Sequence, residues 1–94
     1  MNPDIKKQVN RRASIIEGQF RALRTAIDSD AYCMDVLTQS LAIQKSLASL
    51  NKLVVENHIS THIQAMLASS SEADRQKAID ELSQLYELNN VRGK

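Results

Sequence analysis

A chain of 94 residues with 3% aromatic content has room for one domain, residues 1–94, and suits a thin helical core better than a β-sandwich. No run approaches the ~18–20 apolar residues of a membrane span, the N-terminus lacks the apolar segment of a secretory signal, and one cysteine cannot close an intrachain disulfide. A cytoplasmic protein with a free thiol is therefore expected, and its net charge of +1 hides an asymmetry: residues 1–52 carry eight Lys/Arg against five Asp/Glu, residues 53–94 four against six.

Asn2, Pro3 and Asp4 read as a helix start, with proline tolerated in the first turn and an acidic residue near the positive end of the dipole. Ile5, Val9, Ile16, Phe20, Leu23 and Ile27 then form an apolar stripe at spacings of three, four and seven. Lys6, Lys7, Arg11, Arg21 and Arg24 occupy the other faces, and Arg12 stands at the edge of the stripe. Such a face is commonly no more than a solvated one, but it also permits a polyanionic partner. Gly18 interrupts the pattern at a cost of roughly 1 kcal/mol relative to alanine, which a closely approaching helix would justify. Asp28, Ser29 and Asp30 form a short polar joint, suited to a tight turn between antiparallel helices.

Residues 30–69 contain neither glycine nor proline, open on a residue able to cap a helix, and carry Val36, Ile43, Leu47, Leu50 and Val54 at three-and-four spacing. One unbroken helix is predicted, roughly 55–60 Å long and too long for one small chain to cover. Dimerisation or higher assembly is the expected remedy. The serines at 69–71 supply alternative ends, and Ser71 with Asp74 three residues on reads as the start of a third helix reaching about Leu88. That helix would turn Ala78, Leu82, Leu85 and Tyr86 inward and Glu72, Asp74, Arg75 and Lys77 outward. Asn89 and Asn90 can stop it, leaving residues 91–94 as a frayed tail.

Cys33, His58 and His62 are the only thiol and the only imidazoles, and all three lie on the long helix. His58 and His62 share a face, ~6 Å apart, whereas Cys33 precedes His58 by roughly 37 Å of helix. Within one chain the three cannot meet. If two copies pack antiparallel about a midpoint near Lys45 and Ser46, Cys33 of one comes level with His58 of the other, and symmetry makes two equivalent sites. A thiolate with two imidazoles suits Cu(I), Zn(II), Ni(II) or Co(II). Taken singly, a histidine pair is more often an exposed face and a lone cysteine a small core residue. Enzymatic readings fail: no Glu follows the first histidine as in a zinc protease helix, and there is no phosphate loop, nucleophile elbow or cofactor fingerprint. Nor does the chain offer a helix-turn-helix. Any DNA contact must come from basic side chains spread over an oligomer and directed mainly at phosphates and DNA shape.

The run Ser29, Asp30, Ala31, Tyr32, Cys33, Met34, Asp35, Val36, Leu37, followed by Gln44, Leu47, Asn57, His58 and His62, resembles the CsoR/RcnR family of bacterial metal-sensing repressors. The resemblance extends to Arg12, to Glu17, Gly18 and Gln19, and to the run from Ala78 to Leu82. It implies an all-α protomer of three helices with a long central helix, an antiparallel dimer built on that helix, and a tetramer made from two such dimers. It further implies binding to operator DNA without metal and release by metal, with no membrane and no small organic substrate involved. By the same resemblance Cys33 ligates from one protomer and His58 and His62 from the other. Tyr32 and Glu81 match positions that form a hydrogen-bonded network behind the ligand histidine in copper sensors. Arg12 and Lys52 match basic positions implicated in operator binding, with Lys6, Lys7, Arg11, Arg21 and Arg24 in support.

The departures bear on the inducer. Copper sensors usually carry cysteine at the position of His62, whereas nickel and cobalt sensors carry histidine there and recruit another near the N-terminus; residues 1–10 hold none. Formaldehyde sensors pair the cysteine with an N-terminal proline, and Pro3 stands third; persulfide sensors need two cysteines. Cu(I) accepts three ligands, and one sulfur with two nitrogens supplies them, so Cu(I) is the expected inducer and Ni(II), Co(II) or Zn(II) the alternatives. Rival readings are a metal-buffering helical oligomer without DNA activity and a coiled-coil adaptor. Salt-dependent DNA binding separates the first from a repressor, and stoichiometric metal binding separates the second.

Overall fold

The computed structural model describes residues 1–91, with side chains through Leu88. The expected tail at 92–94 lies outside the described residues. The fold is all-α: α1 (Pro3–Asp28), α2 (Cys33–His58), a π-helical turn (Ile59–Ile63), α3 (Gln64–Ala68) and α4 (Glu72–Val91), with no strand among the described residues. No helix among them is long and apolar enough to cross a membrane. The chain divides into two compact units, Met1–Asn57 and the residues from His58 onward.

In the first unit α1 starts where its sequence predicts. The Asn2 side chain accepts a hydrogen bond from the Asp4 amide at 2.8 Å, Pro3 occupies the first turn, and Asp4 faces the positive end of the dipole. After Asp28 the chain turns through residues 29–32, and α2 runs back antiparallel until Asn57 Oδ1 accepts from the Asn2 amide at 3.4 Å. Asp30 does not cap α2, as the sequence suggested. It adopts φ 57°, and the carbonyl of Tyr32 accepts the first amides, those of Asp35 and Val36. The left-handed conformation closes the turn, and a short polar side chain tolerates it. Asp30→Gly should therefore leave stability unchanged or slightly raised, whereas Asp30→Val should lower it by about 1–2 kcal/mol in urea unfolding.

Ala26, Ile43 and Asn57 are buried in this unit, and Ile5, Val9, Ile16, Leu23, Val36, Leu50 and Val54 are half-buried. Phe20, Ile27 and Leu47, expected inside, remain exposed in the single chain, together with Ile15, Met34, Leu37 and Leu41. Two helices bury only the stripe between them. A second apolar row is left on the outside of the pair. Among the described residues nothing crowds Gly18 either: a Cβ there would meet only the Arg21 guanidinium, at 3.8 Å.

In the second unit the long helix departs from its predicted regularity. After His58 the backbone widens into a π turn, in which the Gln64 amide donates to the carbonyl of Ile59, five residues back. The α form resumes for Gln64–Ala68 and ends at Ser69, whose backbone is extended. Ser71 accepts from the Asp74 amide at 3.3 Å and starts α4, as its spacing predicts. Ile63 and Ala78 are buried in the short core beside α3 and α4. Of the other residues expected inward, Leu85 is half-buried while Leu82 and Tyr86 are exposed, because α3 spans only five residues and covers little of its longer neighbour. Asn89 and Asn90 do not stop α4, which continues to Val91.

Candidate metal centre

His58 is the last residue of α2, and His62 lies within the π turn that follows. Their ring centres are 5.1 Å apart, with the planes tilted by 36°. Metal–nitrogen bonds of ~2.0–2.1 Å meeting at a near-tetrahedral angle place two imidazole centres about 5 Å apart. The separation of the two rings is of that size. A π turn inserts an extra residue into the helical repeat and often marks a functional position; here it carries one of the two rings.

Glu81, on α4, approaches the same pair. Its Oε1 lies 2.5 Å from Nε2 of His58, and both side chains are largely but not wholly sheltered. The carboxylate takes up Nε2, so Nδ1 is the ring nitrogen of His58 that this contact leaves available to a metal. His58 and Glu81, which the resemblance pairs, thus meet inside one chain. Tyr32, the other expected partner, precedes α2 and is exposed.

Cys33 is exposed and opens the helix that His58 closes. Among the described residues no three His, Cys, Asp or Glu side chains gather closely enough to hold an ion within one chain. The structure thus brings together His58, His62 and Glu81. A cleft of ≈ 430 Å³ beside the imidazoles is lined also by Ala65, Met66, Asp74 and Lys77. Sequence reading placed Asp74 and Lys77 on an outward face and gave Met66 no part, although its place four residues after His62 was visible.

In the first unit Arg12 lines a cleft of ≈ 240 Å³ with Ile15, Lys45, Ser46 and Ser49. One guanidinium, one ammonium and two hydroxyls form a donor set for phosphate oxygens. Lys45 escaped the sequence reading because it was considered only as a helix midpoint. Lys6, Lys7, Arg11, Arg21, Arg24 and Lys52 are exposed, as contacts to DNA phosphates require.

A family model described as metal-sensitive transcriptional repressor matches residues 5–87. The copper-sensing transcriptional repressor CsoR of Mycobacterium ulcerans is 34% identical over 79 residues, 84% of this chain and 65% of that protein. CsoR of Bacillus subtilis is 30% identical over 81 residues, 86% of this chain and 77% of the relative. The chain thus spans just under two thirds of the mycobacterial protein's length. Among solved structures, a variant of the formaldehyde-responsive regulator FrmR from Salmonella enterica serovar Typhimurium superposes with a TM-score of 0.76 at 28% identity, covering 94% of this chain and 97% of that one. The copper-sensing repressor CsoR with Cu(I) from Geobacillus thermodenitrificans shares the fold, with a TM-score of 0.75, 23% identity and coverage of 92% and 91%.

Proposed function

Because the chain belongs to the CsoR/RcnR family of metal-sensitive transcriptional repressors, which are regulators and not enzymes, we propose that it holds operator DNA when metal-free and releases it on binding Cu(I). The observation that carries this reading is the imidazole pair 5.1 Å apart, with Glu81 holding Nε2 of one ring. His58, through Nδ1, and His62 would hold the ion together with Cys33 of a second chain, in a cytoplasmic homodimer that pairs into a tetramer. When bound, Cu(I) supplies a centre that ties one chain's sulfur to another chain's imidazoles.

The rest of the mechanism belongs to the chain's own side chains. Glu81 orients His58 and fixes its tautomer, linking the ligand to α4; Tyr32 of the chain that supplies the thiol completes the hydrogen-bonded surround. The exposed row of Phe20, Ile27, Leu37 and Leu41 supports association, since a second copy would remove it from water. Arg12 and Lys52, with the basic residues of α1, contact phosphates in the DNA-competent state. Ligation biases the equilibrium toward a state in which those charges fit the operator less well, and a tenfold release needs only ~1.4 kcal/mol of coupling.

The test is binding to the chain's own promoter DNA over a salt series, with and without Cu(I). Affinity should fall steeply with salt, and Arg12→Ala or Lys52→Ala should flatten the logarithmic slope by about one unit for each copy that touches a phosphate. Cu(I) should release the DNA at concentrations where Ni(II), Co(II) and Zn(II) do not. Absence of specific DNA binding would favour a metal buffer, and release by Ni(II) or Co(II) alone would reassign the inducer.

A further inference from the structure

The cleft beside the imidazoles contains a donor that the Cys/His/His reading leaves unused. Met66 lies on α3, four residues beyond His62, is half-buried and lines the same cavity as both rings. Ala65, also on the wall, contributes only a methyl group. The charged groups on the lining are Asp74, Glu81 and Lys77, two carboxylates against one ammonium. One formal negative charge in excess matches a monovalent cation. A thioether is a soft donor that selects Cu(I), whereas harder nitrogen and oxygen ligands suit the divalent alternatives.

We propose that His58, His62 and Met66 form a capture site for Cu(I) within a single chain, two nitrogens and one sulfur, occupied before the thiol of another chain is engaged. The proposal rests on the copper reading above and adds a step to it. Nε2 of His58 is taken up by Glu81, which leaves Nδ1 as the nitrogen available to the ion, and the exposed His62 ring opens the site to solvent. A capture site of this kind needs no partner chain. Within the assembled dimer it lets one chain's own donors take copper before the thiol of the partner closes on it, and it gives the sensor preference for a soft monovalent ion even though histidine stands where copper sensors usually carry cysteine.

The test uses the full chain with Cys33→Ala, in which the remaining sulfurs are those of Met1, Met34 and Met66. Anaerobic Cu(I) titration against a competing chromophoric chelator should give one ion per chain, and X-ray absorption should show one sulfur bound to it. Adding Met66→Leu, which conserves volume, should lower affinity at least tenfold and remove that sulfur, while Met34→Leu in the same background should change neither. Nitrogen-only coordination in Cys33→Ala, or affinity within twofold after Met66→Leu, overturns the capture site. Failure of the copper reading looks different: the parent chain would then retain no Cu(I), whereas a parent that binds through Cys33 beside a sulfur-free Cys33→Ala refutes Met66 alone.

Discussion

Replacing Cys33 with alanine should leave operator DNA bound at Cu(I) concentrations that empty it in the parent, while metal-free affinity stays within about twofold. The thiol is exposed and at the start of α2, so its removal creates no cavity among the described residues. It does remove the only thiol, and with it, on the proposed reading, the link between one chain's sulfur and another's imidazoles. A copper effect of tenfold or more on DNA affinity, ~1.4 kcal/mol for each factor of ten, should collapse to nearly none. Fluorescence anisotropy of labelled operator, with Cu(I) buffered anaerobically, reads this directly. If the alanine protein still leaves DNA as readily as the parent, the shared site is wrong.

Ile63→Ala should be the most damaging single substitution for stability, by about 2–5 kcal/mol, whereas Ile63→Val should cost about 0.5–1.5 kcal/mol. Ile63 is 2% exposed and ends the π turn, and Ala78 on α4 is fully buried in the same unit. The adjacent His62 takes its place from the same turn, so copper affinity should weaken alongside. Urea unfolding of the metal-free protein measures the first effect and chelator competition the second. A loss under 0.5 kcal/mol would mean that Ile63 does not anchor this unit.

What could be read from the sequence was mostly local. Asn2, Pro3 and Asp4 start α1, and Ser71 with Asp74 starts α4, because cap bonds span only a few residues and depend on little else. Asp30 fits two of the sequence's expectations, since the same side chain suits a cap or a left-handed turn; closing the α1–α2 hairpin selects the turn at the polar joint and not the cap. The π turn was harder to see, though a trace exists. The stripe through Leu47, Leu50 and Val54 extrapolates to polar Thr61, while the buried residue is Ile63; the shift of face shows that the simple repeat has ended. The pairing of His58, His62 and Glu81 combines a visible four-residue spacing with a contact 23 positions away that depends on tertiary packing. Phe20, Ile27, Leu82 and Tyr86 were correctly identified as apolar, but one chain has too little surface to enclose them.

The bare row along α1 and α2 has a consequence for how defects in this regulator present themselves. If burial of Phe20, Ile27, Leu37 and Leu41 holds the assembly together, a polar replacement there touches neither metal nor DNA, yet leaves a marginal chain exposed to proteases and lowers its abundance. The regulated genes would then be switched on without any inducer. Such a variant would pass for a broken sensor when the fault was a shortage of repressor.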